Sequence, residues 1–534
     1  METATIPPWH GRPRSSGMRI APHGRGLAAL AMLVTLGASA WAGSFDRCLP
    51  CHRQEVESFA GSAMARTISV PAVLPKSSFH PPGSAVDIQI VYKDGRMIHR
   101  ESSNGSTAEY PIRFAVGSGK VGQSFLADVG GHLMQSPASF YTARNKWDLT
   151  PGYEGVRVPD FTQAVTRDCL FCHAGAATSL AETRFVAASI ESITCERCHG
   201  PSVDHLRRPS AMNIVNPAKL PVRERDSVCE QCHLKGAAAV LQPGKQWWDF
   251  QPGQKMEAVA IHYVEAAPNA SIVAVSHAEQ LSLSRCVRAA GNRLWCGTCH
   301  HPHGAAKADR TAEIRQVCTS CHPVETLAAQ HANPQTADCV TCHMPRRPTA
   351  DVAHAAVTDH RIVRRPGEAG AASVARIVAW KPDESPAAAR NAALAWFAYA
   401  QKNKTPAVAQ EAYQRLESIT GPLRDAAVEA ASGYLLLEFG KARSAIPRFE
   451  QAAQQQPGNA EYWLDLGVAQ DAGAEGPAAL DTLQHAMSLD EYDYRAYLAA
   501  AKIYDRMKLP DQAKRVVQRY LRLDPQSLTM RLAE

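Results

Sequence analysis

The sequence has few cysteines, no dominant charge and, beyond its first 42 residues, no long apolar run. Its 15 cysteines among 534 residues are too sparse for a small disulfide-stapled scaffold. Hydrophobic residues make up 45% and charged residues 20% of the chain, which excludes wholesale disorder and a fibrous protein. No stretch beyond residue 42 has the roughly 20 apolar residues that a bilayer span needs. We therefore expect two to four globular domains and no transmembrane segment in the mature chain.

The N-terminal residues 1–42 are predicted to be a Sec-type export signal. Arg19 and Arg25 provide a basic region, a short apolar stretch follows, and Ala40-Trp41-Ala42 fits a small-x-small cleavage site. A membrane anchor is the alternative, although the apolar stretch is shorter than a span requires. The signal predicts delivery to the periplasm or otherwise out of the cytoplasm.

Fourteen of the cysteines fall in seven Cys-x-x-Cys pairs, and a histidine follows each pair directly. The cysteines of these motifs are Cys48 and Cys51, Cys169 and Cys172, Cys195 and Cys198, Cys229 and Cys232, Cys296 and Cys299, Cys318 and Cys321, and Cys339 and Cys342. The histidines, in the same order, are His52, His173, His199, His233, His300, His322 and His343.

Cys-x-x-Cys-His is the attachment motif of c-type haem. Two thiols one helical turn apart form thioethers to the porphyrin, and the adjacent histidine is the proximal iron ligand. Zinc sites or disulfides are the alternative, but zinc sites need other spacings and would leave the seven histidines without a consistent role. The sequence therefore predicts seven covalently bound haem c groups. Cys286 belongs to none of the motifs. Its side chain is either a small buried hydrophobic group or a redox-active or axial thiolate.

The second axial ligand decides whether a haem only passes electrons or also binds a small molecule. His205, His303, His331 and His354 follow attachment motifs closely, so each is expected to ligate a neighbouring haem rather than its own. Further distal candidates are His80, His360 and the thioether of Met64. A solvated or structural role is favoured for His99, His262, His277 and His301.

The distribution of motifs predicts a mainly α protein in two parts. Residues 43–365 would form a loop-rich heptahaem domain, with a small β-rich insert at about 85–145 that a Lys-Asp-Gly turn signal indicates. Residues 366–386 are predicted to be a linker. Residues 387–534 repeat with a 34-residue period typical of tetratricopeptide repeats, which stack into an α-solenoid.

The repeats predict docking to redox partner proteins, with packing only against the haem domain as the alternative. The net charge of +6 is interpreted as counter-ions for haem propionates, with Arg346, Arg347, Arg361, Arg364 and Arg365 as candidates. Nucleic-acid binding is therefore not expected. The oligomeric state cannot be predicted from the sequence.

The segments "FAGSAMART", "CERCHGPSVDH", "CGTCHHPHG", "CVTCHMPRRPTADVAH" and "TDHRI" resemble bacterial multihaem cytochromes c fused to tetratricopeptide repeats. The haem part is similar to the tetrahaem cytochrome c of nitrifiers and, more distantly, to pentahaem nitrite reductase and hydroxylamine oxidoreductase. The resemblance implies ligation by His205, His303, His331 and His354, stacked and perpendicular haem pairs, and periplasmic electron transfer. No motif carries the lysine that marks a reductase-type catalytic haem in that superfamily.

Three functions follow from these observations. The first is an exported heptahaem electron carrier that breaks no substrate bond. The second is an oxidoreductase that acts on a small nitrogen or sulfur compound at one five-coordinate haem. The third is a scaffold or an extracellular conductive assembly.

Overall fold

A computed structural model describes residues 45–179, 183–266, 272–304, 310–328, 331, 333–352, 354–364 and 376–534. The predicted export signal, residues 1–42, lies outside the described residues. No helix in the described ranges combines the length and the apolar character that a bilayer span needs.

A nine-stranded antiparallel sheet fills the interval between the first two haem motifs. Helix α1 (Arg53–Ala60) precedes it. Its strands are β1 (Ile68–Ser69), β2 (Ser77–Phe79), β3 (Asp87–Lys93), β4 (Arg96–Ser103), β5 (Ser106–Val116), β6 (Gly122–Val129), β7 (His132–Gln135), β8 (Ala138–Tyr141) and β9 (Lys146–Leu149). The order is β2-β3-β4-β5-β6-β8-β9, with β1 paired to β5 and β7 paired to β6.

The expected β element is present but larger than predicted. The predicted turn joins β3 to β4, where Asp94 and Gly95 both have positive φ, as a two-residue hairpin turn requires. The expectation of a small insert is wrong, because the sheet extends from Ile68 to Leu149. Strands β1 and β2 are only two and three residues long. Their sequences carry no alternation, and pairing with β5 and β3, respectively, defines them.

Short helices make up much of the remainder of the N-terminal part. They are α2 (Arg167–His173), α3 (Glu196–His199), α4 (Val203–Arg207), α5 (Val222–His233), α6 (His277–Ser282), α7 (Arg285–Ala290), α8 (Cys296–Cys299), α9 (Thr311–Thr319), α10 (Val324–Leu327) and α11 (Cys339–His343). All or part of an attachment motif lies in α2, α3, α5, α8, α9 and α11. Several motifs end a helix rather than begin one; the fourth motif, for example, closes α5.

Two further small sheets lie outside the predicted β region. Strands β10 (Ala238–Leu241), β11 (Ala260–Glu265) and β14 (Ile377–Ala379) form a three-stranded antiparallel sheet. Strands β12 (Arg346–Pro348) and β13 (Ala356–Thr358) form a hairpin. Residues 376–386 of the predicted linker thus contribute a strand, whereas residues 366–375 lie outside the described residues.

The C-terminal part consists of tetratricopeptide-like helix pairs. Its helices are α12 (Ala388–Asn403), α13 (Pro406–Glu417), α14 (Ala426–Glu438), α15 (Ala442–Gln455), α16 (Ala460–Ala472), α17 (Gly476–Leu489), α18 (Tyr494–Arg506), α19 (Pro510–Leu521) and α20 (Leu528–Arg531). Helices α14, α16 and α18 begin 34 residues apart. A Cβ at Gly467 would stand 2.7 Å from Leu483, so the small residue at this phase permits the close approach of paired helices.

Both ends of this helical array pack against the N-terminal part. At its start, Ala393 of α12 shares a core with Ala238, Val240 and Ile261 of the three-stranded sheet. At its end, Leu528 of α20 is fully buried in the core of the nine-stranded sheet. The repeats are therefore held at two separate places on the haem-motif region.

A buried group of acids lies where α20 meets the nine-stranded sheet. Asp160 accepts hydrogen bonds from the Ser527 hydroxyl (3.1 Å) and the Thr529 amide (2.9 Å). The Tyr110 hydroxyl lies 3.3 Å from the Asp524 carboxylate. Burial, followed by the charge of Asp160, raises the pKa of Asp524 to about 6. Burial also raises the pKa of the fully buried Glu101. The junction is therefore more stable when these carboxyl groups are protonated.

Replacing Leu528 with alanine is expected to loosen the α20 end of the array. Truncation of a fully buried leucine costs about 2–5 kcal/mol, because packing is lost and a cavity remains. Amide hydrogen exchange in α20 should become faster than in the unmodified protein. Leu532→Ala is the matched control, since this side chain is 40% exposed, and it should leave exchange unchanged. Equal acceleration in both variants would contradict the assigned anchor.

Stability at this junction is expected to fall as the pH rises from about 4 to about 6. The pKa of Asp524 is about 6 in the folded chain against an ordinary value of 3.8, so the unfolded chain releases its proton first. Folding then becomes less favourable as pH rises through that window. Asp524→Asn removes the titration, and urea unfolding measured at pH 4 to 7 should show a flatter profile. An unchanged slope would contradict the raised pKa.

Candidate haem-binding sites

Each attachment motif folds so that its cysteines and its histidine lie on neighbouring faces of a single helical turn. The histidine amide donates to the carbonyl of the first cysteine at 2.9 Å in His52, 3.0 Å in His199 and 2.9 Å in His300. In the last motif, the Asp338 side chain accepts from the Val340 and Thr341 amides and caps this turn. The local sequence therefore sets the geometry of each motif.

All 15 cysteines carry free thiols, and no disulfide joins the two members of a pair. Among the described residues, no group of three or more histidine, cysteine, aspartate or glutamate side chains is arranged to hold a metal ion as a zinc site would. The thiols of each motif are thus available for thioether formation.

Thiols of neighbouring motifs lie close enough to act on one another electrostatically. Cys48 of the first motif acts on Cys195 of the third, and Cys172 of the second motif acts on Cys232 of the fourth. The Cys172 thiol also lies 3.7 Å from the Gln231 carbonyl, which places the second motif against the fourth.

Further neighbours extend this set. Cys198 of the third motif lies close enough to Cys232 of the fourth to interact electrostatically. Cys229 of the fourth motif acts in the same way on Cys296 of the fifth. Cys318 of the sixth motif interacts with Cys339 of the seventh and, more weakly, with Cys299 of the fifth. The seven motifs thus form one connected row that runs 1-3-4-5-6-7, with the second branching from the fourth.

Exposure distinguishes the ends of this row from its middle. The exposed thiols belong to Cys51, Cys169, Cys321 and Cys342, which lie in the first, second, sixth and seventh motifs. The thiols of the third, fourth and fifth motifs are all partly buried.

Four proximal histidines each face a second histidine, three of them from a distant part of the chain. His52 stacks on His205 with ring centroids 6.3 Å apart, and His300 stacks on His360 at 6.2 Å. His199 stacks on His303 at 5.7 Å, with 3.5 Å between their Nε2 atoms.

The seventh motif makes the fourth such pair. His343 faces His331 with ring centroids 5.9 Å apart. Two imidazole nitrogens on opposite sides of one metal ion, each about 2 Å from it, stand about 4 Å apart. The Nε2 atoms of His199 and His303, 3.5 Å apart, are close to that spacing, so one iron would fit between these two rings with a small adjustment.

The fourth motif lies in a cluster of histidines. His277 is 5.2 Å from His233 and 4.9 Å from His360, measured between ring centroids. Burial lowers the pKa of His277 to about 3 and that of His300 to about 4, and it lowers the pKa of His233 and His360. Neutral imidazoles are the form that ligates a metal.

His277 is the functional candidate that sequence reasoning placed in the structural class. It lies 44 residues from His233 and follows no motif closely, so no spacing signal identifies it. Only the fold brings α6 to the end of α5.

Two predicted distal histidines make no ring contact with a proximal histidine among the described residues. His80 is exposed and pairs with Asp87 at 3.0 Å. His354 lies 2.9 Å from the Asp148 carboxylate and packs edge-on against Tyr141.

Met64 lies near the second motif. It packs with Phe59 and Ile193 in a small apolar cluster. The Thr67 hydroxyl bonds both the Met64 carbonyl (3.2 Å) and the His173 carbonyl (2.7 Å).

His173 and His322 make no ring contact with another histidine among the described residues. Burial lowers the pKa of His173, and its Nδ1 atom is buried without a hydrogen-bond partner. The second and sixth motifs therefore differ from the other five in lacking a facing imidazole.

The remaining histidines have structural surroundings. His99 is fully buried between Ser136 and Glu101, and burial lowers its pKa to about 3. His262 is buried in β11, 5.7 Å from the Trp247 ring. His301 is exposed. Cys286 is a partly buried thiol near Cys299 and Cys318.

Hydrogen bonds at Nδ1 leave Nε2 as the ligating nitrogen of several rings. Val215 O accepts from His199 at 2.7 Å, and Val363 O accepts from His343 at 2.7 Å. His205 Nδ1 lies 3.0 Å from Ser210 O and 3.1 Å from Asn213 Oδ1. Such bonds orient metal-ligating histidines.

Two of the arginines predicted as propionate counter-ions already have a protein partner. Arg347 and Arg361 both donate to Asp359, whose side chain is fully buried. Arg364 is exposed, and Arg365 lies outside the described residues.

Comparison with known proteins identifies part of this region. The sequence matches the family described as "Doubled CXXCH motif" over residues 288–326, which contain the fifth and sixth motifs. This match indicates covalently bound haem c. No curated protein matches the chain.

Solved structures similar to the chain cover about a quarter of it. "MamA MSR-1 C2" is 22% identical, with a TM-score of 0.24, and the match covers 27% of this chain and 81% of that one. "MamA AMB-1 C2221" is 23% identical over 25% of this chain and 78% of that one, with a TM-score of 0.23. "Crystal structure of YrrB: a TPR protein with an unusual peptide-binding site" is 15% identical over 26% of this chain and 73% of that one, with a TM-score of 0.23.

Replacing His303 with alanine is expected to remove the imidazole that faces His199. The ferric iron at the third motif should then lose low-spin character, because one axial ligand is missing. Electron paramagnetic resonance of the oxidised protein measures this as a new high-spin signal. His301→Ala is the control, because this neighbouring side chain is exposed. A purely low-spin spectrum for His303→Ala would contradict the pairing.

The chain therefore combines c-type haem attachment motifs, which lie next to one another in one row, with a C-terminal array of tetratricopeptide-like helix pairs.

Proposed function

We propose that the protein is an exported heptahaem c-type cytochrome that transfers electrons. The observation that carries this proposal is that four proximal histidines each face a second histidine, within a row of motifs whose thiols lie near one another. Haem c bound at these sites supplies one-electron redox chemistry. The polypeptide's part is to hold neighbouring sites together and to close the second axial position with imidazole.

The exposure pattern supports entry and exit of electrons at the ends of the row. The first, second, sixth and seventh motifs have exposed thiols, whereas the three middle motifs are more enclosed. A donor and an acceptor can approach exposed sites, while enclosed sites connect them. Periplasmic or otherwise exported localisation rests on the predicted signal at residues 1–42.

The repeats supply the proposed docking site for redox partner proteins. Tetratricopeptide-like arrays usually bind proteins on the surface of stacked helix pairs. Both ends of this array are buried against the haem-motif region, so a bound partner would be held at a fixed place relative to the row. The quoted motifs favour a haem domain of the nitrifier tetrahaem cytochrome type.

A second candidate is an oxidoreductase with one five-coordinate haem that acts on a small nitrogen or sulfur compound. The specific observation in its favour is that neither His173 nor His322 has a histidine ring against it among the described residues. An iron without a second protein ligand can bind a small molecule.

Haem quantitation and spectroscopy of the exported protein test these proposals together. Intact mass and pyridine haemochrome analysis should give seven haems per chain. A bare or zinc-loaded chain would overturn both functions. Ferric iron that is entirely low-spin, and unchanged by nitrite, hydroxylamine or carbon monoxide, favours the carrier. A high-spin signal that shifts on adding one of them favours the oxidoreductase.

A further inference from the structure

Arg197 lies between the two cysteines of the third motif, and its side chain reaches out of that motif toward the second and fourth. Its guanidinium carbon stands 4.2 Å from the centroid of the Phe171 ring and 5.1 Å from that of Trp248. One terminal nitrogen donates to the Phe171 carbonyl at 2.8 Å. The side chain is thus held in one place by an aromatic surface and a backbone acceptor.

The charge of Arg197 has no acidic partner in the described part of the chain. No carboxylate lies within 4.0 Å of it, and its Nε is buried without a hydrogen-bond acceptor. By contrast, the partly buried Arg223 contacts the carboxylates of Glu230 and Glu257. A partly buried cation without a counter-charge is costly to desolvate.

The guanidinium lies at the branch of the motif row. The Gln231 side-chain amide of the fourth motif donates to the Arg197 carbonyl at 3.0 Å, and the Cys172 thiol of the second motif lies 3.7 Å from the Gln231 carbonyl. Arg197 is close enough to Cys172, Cys198 and Cys232 to act on them electrostatically. These three sulfurs belong to three different attachment motifs. Any group bonded to them begins one covalent bond from the sulfur, and therefore near this positive charge.

We propose that Arg197 is an electrostatic tuning residue that raises the reduction potentials of the haems attached at the second, third and fourth motifs. Reduction of a haem lowers its net charge by one, so a fixed positive charge nearby stabilises the reduced form. Burial strengthens this effect, because water does not screen the charge fully. The inference rests on the proposed function, because raised reduction potentials matter only if the haems at the branch of the row receive electrons.

Three variants separate charge from shape. Arg197→Met removes the charge but keeps a long apolar stem over the two rings. Arg197→Lys keeps the charge but loses the planar fork that reaches the Phe171 carbonyl. Arg207→Met is the matched control, because the Arg207 side chain is 76% exposed and pairs only with Asp204 three residues earlier.

Each purified protein is titrated by optically monitored redox potentiometry, after its haem content has been measured. Part of the Arg197→Met titration curve is expected to shift to lower potential, whereas Arg197→Lys and Arg207→Met should follow the unmodified protein. A fully loaded Arg197→Met protein with an unchanged curve would overturn the inference. Equal shifts in the Met and Lys variants would also overturn it, because packing would then be the cause.

Haem loading provides a second readout if the neutral variant assembles poorly. Loss of haem in Arg197→Met but not in Arg197→Lys supports a charge that is needed at these sites. Loss in both variants overturns the inference, because shape would then be what matters. Failure of the proposed function is distinguishable, since it would appear as missing haem or missing redox activity in the unmodified protein.

Discussion

The architecture depends on one constraint: a single helical turn fixes two thiols and one imidazole, but the opposite imidazole must come from elsewhere. No motif supplies both rings, because a histidine just past the turn cannot bend back to the same position. The structure meets this need with residues far away in sequence; His199 and His303 are 104 residues apart. Three of the four pairs join segments that are far apart in sequence, whereas His331 and His343 are near one another. Facing rings thus organise much of the loop-rich region.

Two apolar cores lie where the repeats meet the N-terminal part. The nine-stranded sheet buries a cluster that includes Ile88, Phe125 and Trp147, and the last helix of the repeats adds Leu528 to it. The first helices of the repeats share a separate core with the three-stranded sheet. Since the repeats are bound at both ends, they also link the two sheets. This link and partner docking are compatible roles for one helical array.

Buried ionisable groups at two places in the structure behave differently. At the junction of sheet and repeats, Glu101, Asp160 and Asp524 lie together, and burial raises the pKa values of Glu101 and Asp524. Glu101 and Asp524 therefore keep their protons to a higher pH, which lowers the negative charge at this junction. At the branch of the motif row, Arg197 remains positively charged, and no carboxylate of the described residues lies within 4.0 Å of it. A guanidinium cannot release its proton, so its charge persists and acts on whatever is bonded to the neighbouring sulfurs.

The sequence by itself determined the local chemistry of this protein. The seven motifs, their helical turns, the Asp94-Gly95 hairpin and the 34-residue helical period are all short-range patterns, and the structure contains each of them. Only the tertiary structure decided which rings meet. His277 and His360 lie beside proximal histidines, whereas His80 and His354 are engaged by Asp87 and Asp148. The physical reason is that most ligand pairing, the pairing of β1 with β5, and the anchoring of Leu528 are long-range contacts. These contacts depend on how distant segments pack, and the spacing of residues along the sequence does not encode that packing.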